Sequence, residues 1–295
     1  MLDKLEKFVA LAREGHFGRA AERLNIAQPT LSAAIKQLED QLGVQLVQRG
    51  SRYGGLTPEG ASALSWAKRI TGDARQLKEE MRMCKQGLAG QVRIAVVPTA
   101  QTWAGRLCTV FLGKHPNVRF TILSRNSREI LQMLDDFEVD AGISYLDSEP
   151  LGRVETAPLY SEEYVLVCSK QAPFADRPDV TWSDLKGQNM ALLTPDMQNR
   201  RIINRLFSQN DVCPQVCVEA NSLIALVASV VSGHCITILP SEIASFLVGG
   251  KDLALIPIIP QDTVQRIGLI LPHRDPRTPI LDALMSEARR LGSAV

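Results

Sequence analysis

Apolar residues in the first part of the chain recur at helical spacing. Residues 3–14 carry one such stripe, which Gly15 interrupts, and Phe17–Leu24 carries a second, shorter stripe. A third stripe follows a turn at Asn25, with spacings of four, three and four residues between Leu31, Ile35, Leu38 and Leu42. Gly43 suits the left-handed residue that ends a helix. The pattern predicts three short helices, each with one buried face.

The start of the third predicted helix carries small polar side chains away from its buried face. Pro29 suits the first helical turn, where its missing N–H is harmless. Two short helices, a tight turn and such a helix describe a helix-turn-helix, whose small residues let the helix start enter a major groove. The residues at the helix start and on its other sides are Gln28, Thr30, Ser32, Ala33, Lys36 and Gln37. The pattern leaves an ordinary three-helix bundle open as the alternative.

A β-hairpin is predicted next, because short apolar alternation surrounds the glycine-rich segment GSRYGG. Arg49 and Arg52 lie in or beside this hairpin and suit a wing that contacts the phosphate backbone. Thr57 and Pro58 then predict the start of a helix, with the threonine as N-cap and the proline at the first position.

Residues 58–88 form one long helical pattern with spacings of three and four residues in alternation. Its apolar positions are Ala67, Ile70, Ala74, Leu77, Met81, Cys84 and Leu88. This is a heptad seam, which needs a partner helix to be buried. Dimerisation through the seam is favoured, and packing of the helix on its own domain is the alternative.

Strand-like and helix-like runs alternate beyond residue 90, which indicates α/β units with mostly parallel sheets. The predicted strands are Val92–Val97, Val118–Leu123, Ala141–Ser144, Tyr164–Val167, Met190–Leu193, Val216–Ala220, Thr237–Leu239, Leu253–Ile256 and Gln265–Ile270. The predicted helices include Thr102–Lys114, Arg128–Phe137, Arg200–Ser208 and Ser222–Ser232. About 205 residues fit two small subdomains better than one sheet.

Polar clusters follow three of these strands, at the starts of helices. Ligands of open α/β sheets bind beyond the carboxyl ends of strands, where helix N-termini present free N–H groups to an anion. Ordinary helix capping is the alternative for any single cluster. The candidate ligand-binding residues are Thr99, Ala100, Gln101, Thr102, Asn126, Ser127, Thr194, Gln198 and Arg200, with Ile267 from the last strand.

Composition places the chain among ordinary globular proteins, since 45% of the 295 residues are hydrophobic and 22% are charged. The net charge is only +1, but residues 1–90 hold 14 lysine and arginine residues against 10 aspartate and glutamate residues. The excess of positive charge favours the N-terminal third as the part that approaches phosphate. No signal peptide or membrane segment is recognisable, so a cytoplasmic protein is expected.

A set of residues in fixed register over positions 1–60 resembles the LysR-type transcriptional regulators. The matching residues are Ala20-Ala21, Leu24, Gln28-Pro29, Leu31-Ser32, Ile35, Leu38-Glu39, Leu42-Gly43, Leu46, Arg49 and Leu56-Thr57-Pro58-Glu59-Gly60. Ala27 occupies a position that serine often fills in that family. The resemblance implies a winged helix-turn-helix that binds double-stranded operator DNA through the third helix and the wing, and that assembles as a dimer of dimers. The DNA contacts that it implies are Gln28, Pro29, Thr30, Ser32, Lys36 and Arg52.

The resemblance also implies the rest of the architecture: a DNA-binding domain at 1–57, a linker helix at 58–89 and an effector-binding domain at 90–295. The last is similar to periplasmic binding proteins, with subdomain I at 90–162 and 266–295 and subdomain II at 163–265. RNA polymerase is an implied partner. Residues 192–240 resemble the branch that responds to very small anions such as cyanate or formate, and no other cofactor is expected.

Two other functions compete with an effector-responsive regulator. An enzyme lacks support, because the four histidines show no metal-ligand spacing and the chain contains no GxSxG, P-loop or GxGxxG motif. A thiol-based redox regulator on the same fold is the alternative. Cys213 and Cys217 are its candidate pair, although a buried structural cysteine is the commoner outcome.

Overall fold

The computed structural model describes residues 1–48, 53–86, 88–260, 264–273 and 277–293. The chain divides into two compact units, Met1–Gly87 and Leu88–Val295. No helix among the described residues has both the length and the apolar character needed to cross a membrane.

The first unit begins with the three helices that the sequence predicts: α1 (Leu2–Glu14), α2 (Phe17–Arg23) and α3 (Gln28–Leu42). Gly15 and Gly43 end α1 and α3 in the left-handed conformation, with φ of 57° and 70°. The helices enclose a core with Phe8, Leu11, Leu31 and Leu38 at its centre. The prediction that Leu42 is buried is wrong: it is 40% exposed, because the last turn of α3 lies outside this core.

A hairpin follows α3, and its two sides meet at the antiparallel bridge between Val47 and Leu56. The Glu39 carboxylate fixes the first side to α3, since its Oε1 accepts hydrogen bonds from the N–H groups of Leu46 and Val47 at 2.8 and 3.1 Å. The predicted contacts Arg49 and Arg52 lie outside the described residues.

Helix α4 (Pro58–Gln86) starts as predicted. The Thr57 hydroxyl accepts from the Gly60 N–H at 2.8 Å and donates to the Gln45 carbonyl at 2.6 Å, so one side chain caps α4 and holds the hairpin. A Cβ at Gly60 would lie 1.9 Å from the Leu46 carbonyl oxygen. Only glycine therefore fits where α4 crosses the hairpin.

The predicted seam of α4 has two environments within one chain. Ala67 is buried in the core of the first unit. Ile70, Leu77 and Met81 are 42%, 58% and 53% exposed. These three positions of the seam are thus uncovered in a single chain.

The second unit contains a five-stranded sheet in the order β2-β1-β3-β11-β4. Its strands are β1 (Gly90–Val96), β2 (Val118–Ser124), β3 (Ala141–Tyr145), β4 (Val154–Glu162) and β11 (Gln265–Pro272). Helices α5 (Gln101–Lys114), α6 (Ser127–Asp135) and α10 (Pro279–Gly292) contact strands of this sheet. After β4 the chain leaves this sheet directly, because residue 163 alone separates β4 from the first strand of the next sheet.

The remaining strands form a four-stranded sheet, β6-β10-β5-β9, and a pair, β7-β8. They are β5 (Tyr164–Ser169), β6 (Val180–Thr181), β7 (Asn189–Leu193), β8 (Gln215–Ala220), β9 (Thr237–Pro240) and β10 (Leu253–Ile259). A parallel bridge between Met190 and Ile236 joins the pair to the sheet. Helices α7 (Gln198–Gln209), α8 (Leu223–Val231) and α9 (Ser241–Val248) connect these strands.

The expectation of mostly parallel sheets is wrong. Among the described residues, the pairs β11–β3, β11–β4, β10–β5 and β5–β9 are antiparallel, and the other four pairs are parallel. Strands β5 and β11 cause the difference, because each runs against the other strands of its sheet and one of the two takes part in every antiparallel pair. β4 itself was not predicted. It holds Pro158, which an edge strand tolerates and which faces an irregularity in the register of β11.

Candidate functional site

The N-terminal half of α3 presents a continuous polar surface. All five candidate residues on it, Gln28, Pro29, Thr30, Ser32 and Lys36, are exposed. The buried face behind them consists of Leu31, Ala34, Ile35 and Leu38. The sequence prediction of which α3 residues face outward therefore agrees with their observed exposure.

The N-terminus of α3 is also free of a side-chain cap, because its N-cap residue is Ala27. The first N–H groups of a helix lack intrahelical partners, so they are donors that a phosphate oxygen can satisfy. By contrast, the His16 Nδ1 caps α2 by accepting from the N–H groups of Gly18 and Arg19 at 3.0 and 3.3 Å. Of these two consecutive helices, α3 alone has an N-terminus that no side chain occupies.

The second unit brings four of the predicted ligand-binding residues to one small cavity. Thr99, Asn126, Ser127 and Gln198 line it together with Tyr145, Asn199 and hydrophobic neighbours. Its volume is about 10 Å³, close to the space that one water molecule needs. The residues come from the turn after β1, from the start of α6 and from the start of α7, as the polar clusters after strands predict.

Polar contacts cross this cavity and hold it closed. The Asn126 Nδ2 donates to the Asp196 Oδ2 at 3.3 Å. The Arg201 guanidinium donates to the Ser127 hydroxyl at 3.2 Å and to the Glu149 Oε1 at 2.6 Å. These contacts join the loop and helix after β7 to the segments that follow β2 and β3. A ligand larger than water requires some of them to open.

The other predicted ligand-binding residues lie elsewhere. Gln101 and Thr102 line a separate open groove of about 1090 Å³, in which Phe246 is also found. Arg200 contacts the neighbouring strands β7 and β8 instead, because it donates to the Leu193 carbonyl at 2.6 Å and to the Glu219 Oε1 at 2.8 Å. The structure places neither Ala100, Thr194 nor Ile267 in the lining of either space. Arg201, the next residue after Arg200, makes the contacts across the cavity.

A buried polar cluster lies directly behind Thr99. The Thr99 and Tyr145 hydroxyls are 3.2 Å apart, and the Tyr145 hydroxyl donates to the Glu162 Oε2 at 3.0 Å. Tyr164 donates to the same oxygen at 3.2 Å. Burial raises the pKa of Glu162 to about 7, against which the hydrogen bonds from its neighbours act. Sequence patterns did not reveal this cluster, because its members come from three strands and form no local motif.

Cys108, Cys168, Cys213, Cys217 and Cys235 are free thiols, and no group of histidine, cysteine or acidic residues in the described part of the chain could hold a metal ion. Burial raises the pKa of Cys108, Cys168 and Cys235 to about 11. A raised pKa lowers the thiolate fraction and hence the reactivity of a thiol. Cys213 and Cys217 are the exposed ones.

Family comparisons assign both units. The model of the bacterial regulatory helix-turn-helix protein, lysR family, matches residues 2–61. The model of the LysR substrate binding domain matches residues 85–292. The chain belongs to the LysR family of transcriptional regulators. This LysR-type regulator thus combines a DNA-binding domain with an effector-binding domain, and its relatives are regulators, not enzymes.

Individual relatives agree with this assignment. The LysR-type chain is 32% identical to the regulator XapR of Escherichia coli over 248 residues, 82% of this chain and 83% of XapR. It is 28% identical to the dual regulator OxyR of the same species over 267 residues, 90% of this chain and 87% of OxyR. The solved structure of a full-length OxyR variant from Pseudomonas aeruginosa covers 99% of both chains with a TM-score of 0.74 and 25% identity. CbnR in complex with its target DNA has the same fold, with a TM-score of 0.70, 22% identity and 99% of both chains covered.

Proposed function

We propose that this regulator binds operator DNA through the N-terminal half of α3 and the wing, as a dimer of dimers. A small anion in the cavity beside Thr99 modulates this binding. The domain limits proposed are 1–57, 58–89 and 90–295, with subdomain I at 90–162 and 266–295 and subdomain II at 163–265. The protein would act in the cytoplasm, where its DNA lies, and with RNA polymerase.

The uncapped and exposed start of α3 carries the DNA part of this proposal. Base edges are read by side chains that reach into the major groove, whereas phosphates are met by N–H groups and by cationic side chains. Gln28 and Ser32 lie on the exposed side of the first turns of α3. They are therefore assigned to bases, and Arg52 in the wing is assigned to phosphate.

Paired substitutions test this division of roles. Gln28→Ala should cost ~1–3 kcal/mol of operator binding and relax the preference at one base position, whereas Arg52→Ala should weaken all sequences alike and lower the salt slope by about one. Footprinting with a salt titration measures both effects. Arg119→Ala, which removes an exposed arginine of the second unit, is the control for lost charge. Equal loss of base preference in the first two variants contradicts the assignment.

The convergence of Thr99, Asn126, Ser127 and Gln198 on one cavity supports the effector part. Its lining offers hydroxyls, amides and the start of α7, groups that favour a small anion. Thr99→Val keeps the side-chain shape and removes a hydrogen bond worth ~1.5–3 kcal/mol to a charged acceptor. Anion affinity should then fall roughly ten- to a hundredfold, while DNA binding without effector stays unchanged.

Calorimetry with formate, cyanate and short carboxylates measures this effect. Thr121→Val is the matched control, because the Thr121 hydroxyl on β2 accepts from the exposed Gln91 amide of β1 at 2.8 Å and does not line the cavity. Equal binding of an anion to wild type and Thr99→Val places the pocket elsewhere and leaves Thr99 as a residue of the turn.

Redox control by thiols is the second candidate, favoured by the similarity to OxyR. Cys213 and Cys217 are the exposed thiols that an oxidant would reach first. Titration of free thiols before and after peroxide treatment, combined with operator binding, tests this candidate. Loss of thiols together with altered DNA binding would favour it over an anion effector.

A further inference from the structure

The three groups Thr99, Tyr145 and Glu162 form a chain of hydrogen bonds from the cavity to a buried carboxyl. Thr99 and Tyr145 line the cavity, and Glu162 lies behind them at the end of β4. Each hydroxyl has one proton to donate, so the direction of every bond in the chain follows from the state of its last member. Glu162 thereby controls which way the Thr99 hydroxyl points.

With Glu162 ionised, the carboxylate accepts the Tyr145 proton across 3.0 Å. Tyr145 then has only lone pairs left for Thr99, so the Thr99 hydroxyl donates to Tyr145 across 3.2 Å. Thr99 therefore turns a lone pair toward the cavity. In this state, the chain presents an acceptor to a ligand and disfavours an anion.

With Glu162 protonated, each of these bonds can reverse. The carboxyl donates to the Tyr145 oxygen, Tyr145 rotates its proton to Thr99, and Thr99 donates into the cavity. The buried Nδ2 of Asn199, beside Tyr145 in the same lining, makes no hydrogen bond of normal geometry among the described residues. It is a second donor for the same ligand.

Charge in the surroundings acts in the same direction. The titratable groups that face Glu162 are Tyr145 of β3, Tyr160 of β4 and Tyr164 of β5, and Glu242 of α9 acts on Tyr160. The main influences on the pKa of Glu162 are burial and hydrogen bonds from the uncharged hydroxyls of Thr99, Tyr145, Tyr164 and Tyr160, not a cationic side chain. An anion in the cavity would be a second negative charge near this buried carboxyl, which favours its neutral form. Arg201, which donates to Ser127 of the lining, favours the anion itself.

We propose that the cavity beside Thr99 takes up its anion together with one proton, which binds to Glu162. This proposal rests on the effector function proposed above, and it makes Glu162 a positioning residue that acts through Tyr145 and Thr99. The raised pKa of Glu162, about 7, places the exchange in an accessible pH range. The bound species is equivalent to the conjugate acid, with its proton stored on the protein.

Calorimetry with formate, cyanate and acetate on the full chain, in two buffers of different ionisation enthalpy, measures the proton uptake. At pH 8 we expect close to one proton taken up for each anion bound. Affinity should fall about tenfold per pH unit above the pKa of the carboxyl. The infrared spectrum should gain a protonated-carboxyl band when the anion is added to wild type.

Glu162→Gln replaces the carboxyl by an amide, whose NH₂ group donates to Tyr145 at every pH. This variant should bind the anion without proton uptake, with a flat pH profile and without the infrared band. Tyr164→Phe is the matched control, since it removes the other hydrogen bond to the Glu162 Oε2 and leaves the chain to Thr99 intact. It should retain the proton uptake.

Tyr145→Phe keeps the proposal open to test if Glu162→Gln does not fold. It interrupts the chain, so the Thr99 hydroxyl no longer follows the carboxyl and the proton uptake should fall. Anion binding that depends on Thr99 but takes up no proton in wild type overturns this inference and leaves the proposed function standing. Absence of binding by all three anions at any pH overturns both.

Discussion

The two units place their functional residues in opposite environments. In the first unit, the five described DNA-contact candidates lie within positions 28–36, and all are exposed. In the second unit, the cavity residues extend from Val97 to Asn199, and Thr99, Ser127, Gln198 and Asn199 are all buried. The α3 surface is accessible without rearrangement, whereas the cavity of the second unit is closed by hydrogen bonds between its own walls.

This difference determines how each unit can respond to its ligand. The exposed face of α3 can meet DNA without rearrangement. The cavity can admit a ligand only when contacts such as Asn126–Asp196 and Arg201–Ser127 break. A ligand shifts an equilibrium only by its differential affinity for the two states. Regulation is therefore expected from opening and closing of the second unit, with the first unit as the part that reads DNA.

Matched glycine substitutions should break one unit at a time, and this is the largest effect that we expect. An added Cβ at Gly60 would lie 1.9 Å from the Leu46 carbonyl oxygen, and one at Gly292 would lie 2.0 Å from the Pro158 carbonyl oxygen. Backbone cannot yield as a side chain does, so each change to alanine should cost ~3 kcal/mol or more.

Hydrogen exchange measured by peptide shows where protection is lost. We expect Gly60→Ala to expose residues 1–57 and abolish operator binding, and Gly292→Ala to expose the second unit. Gly105→Ala is the control, because nothing lies within 4 Å of the added Cβ. Equal loss of protection in both units from either change would contradict their independence.

The uncovered seam of α4 predicts the next largest effect. Leu77→Glu places a carboxylate at a position that is 58% exposed in one chain and that pairing through the seam would bury. An unpaired buried charge costs several kcal/mol. Sedimentation should show a smaller species and weaker operator binding. Lys78→Glu changes charge at an exposed neighbour outside the seam and should leave assembly intact; an unchanged oligomer in Leu77→Glu would place the seam against its own chain.

The first unit was largely predictable from sequence, because its determinants are local. Gly15, Gly43 and Thr57 end or start helices by interactions within a few residues, and the α3 face follows from spacing alone. Leu42 was assigned wrongly because periodicity does not tell where a neighbouring helix stops.

The second unit was predictable in its βα elements and in strands β5 and β11, but strand β4 and the antiparallel pairings of β5 and β11 were not predicted. Strand β4 contains Pro158, which indicates a strand break unless the edge position is known. The sequence predicted only part of the candidate site, because the rest of it depends on how the strands pair. Thr99 and Asn126 follow strands, whereas Tyr145 and Glu162 join them only through the pairing of β3, β11 and β4. The sequence alone could not show which of the adjacent residues Arg200 and Arg201 contacts the cavity, because that depends on their hydrogen bonds in the folded protein.

Substitution of these two arginines should separate an effect on folding stability from an effect on anion binding. Arg200 is 7% exposed and pairs with Glu219, which is 44% exposed and can regain water. Arg200→Gln should therefore cost ~2–3 kcal/mol of stability, with little change in anion affinity. Arg201→Gln should cost no more than ~1 kcal/mol, while anion affinity changes because the contacts with Ser127 and Glu149 are lost.

Thermal unfolding and calorimetry on both variants measure this pair of effects. The opposite pattern, with stability lost in Arg201→Gln and anion affinity altered only in Arg200→Gln, would assign the cavity contact to Arg200.

The smallest expected effect is a dependence of the second unit's stability on acid. Four of its carboxyl groups, Asp147, Asp184, Asp196 and Glu287, have a lowered pKa. The pKa of Asp184 is about 2, chiefly because Arg177 and the Thr181 backbone and hydroxyl groups donate to the carboxylate. A pKa lowered in the folded state gives stability that is present above the unfolded value, near 4, and is lost as pH falls through about 2.

Asp184→Asn should lower the free energy of unfolding at neutral pH by ~1–2 kcal/mol, after allowance for solvent screening. The stability of this variant should also fall less steeply than that of wild type between pH ~4 and ~2. Unfolding of the second unit, followed by peptide-resolved hydrogen exchange at several pH values, measures the slope. Asp176→Asn removes an exposed carboxylate from the segment that precedes β6 and should leave the slope as in wild type. A slope that Asp184→Asn leaves unchanged would mean that the contacts with Arg177 and Thr181 do not hold in solution.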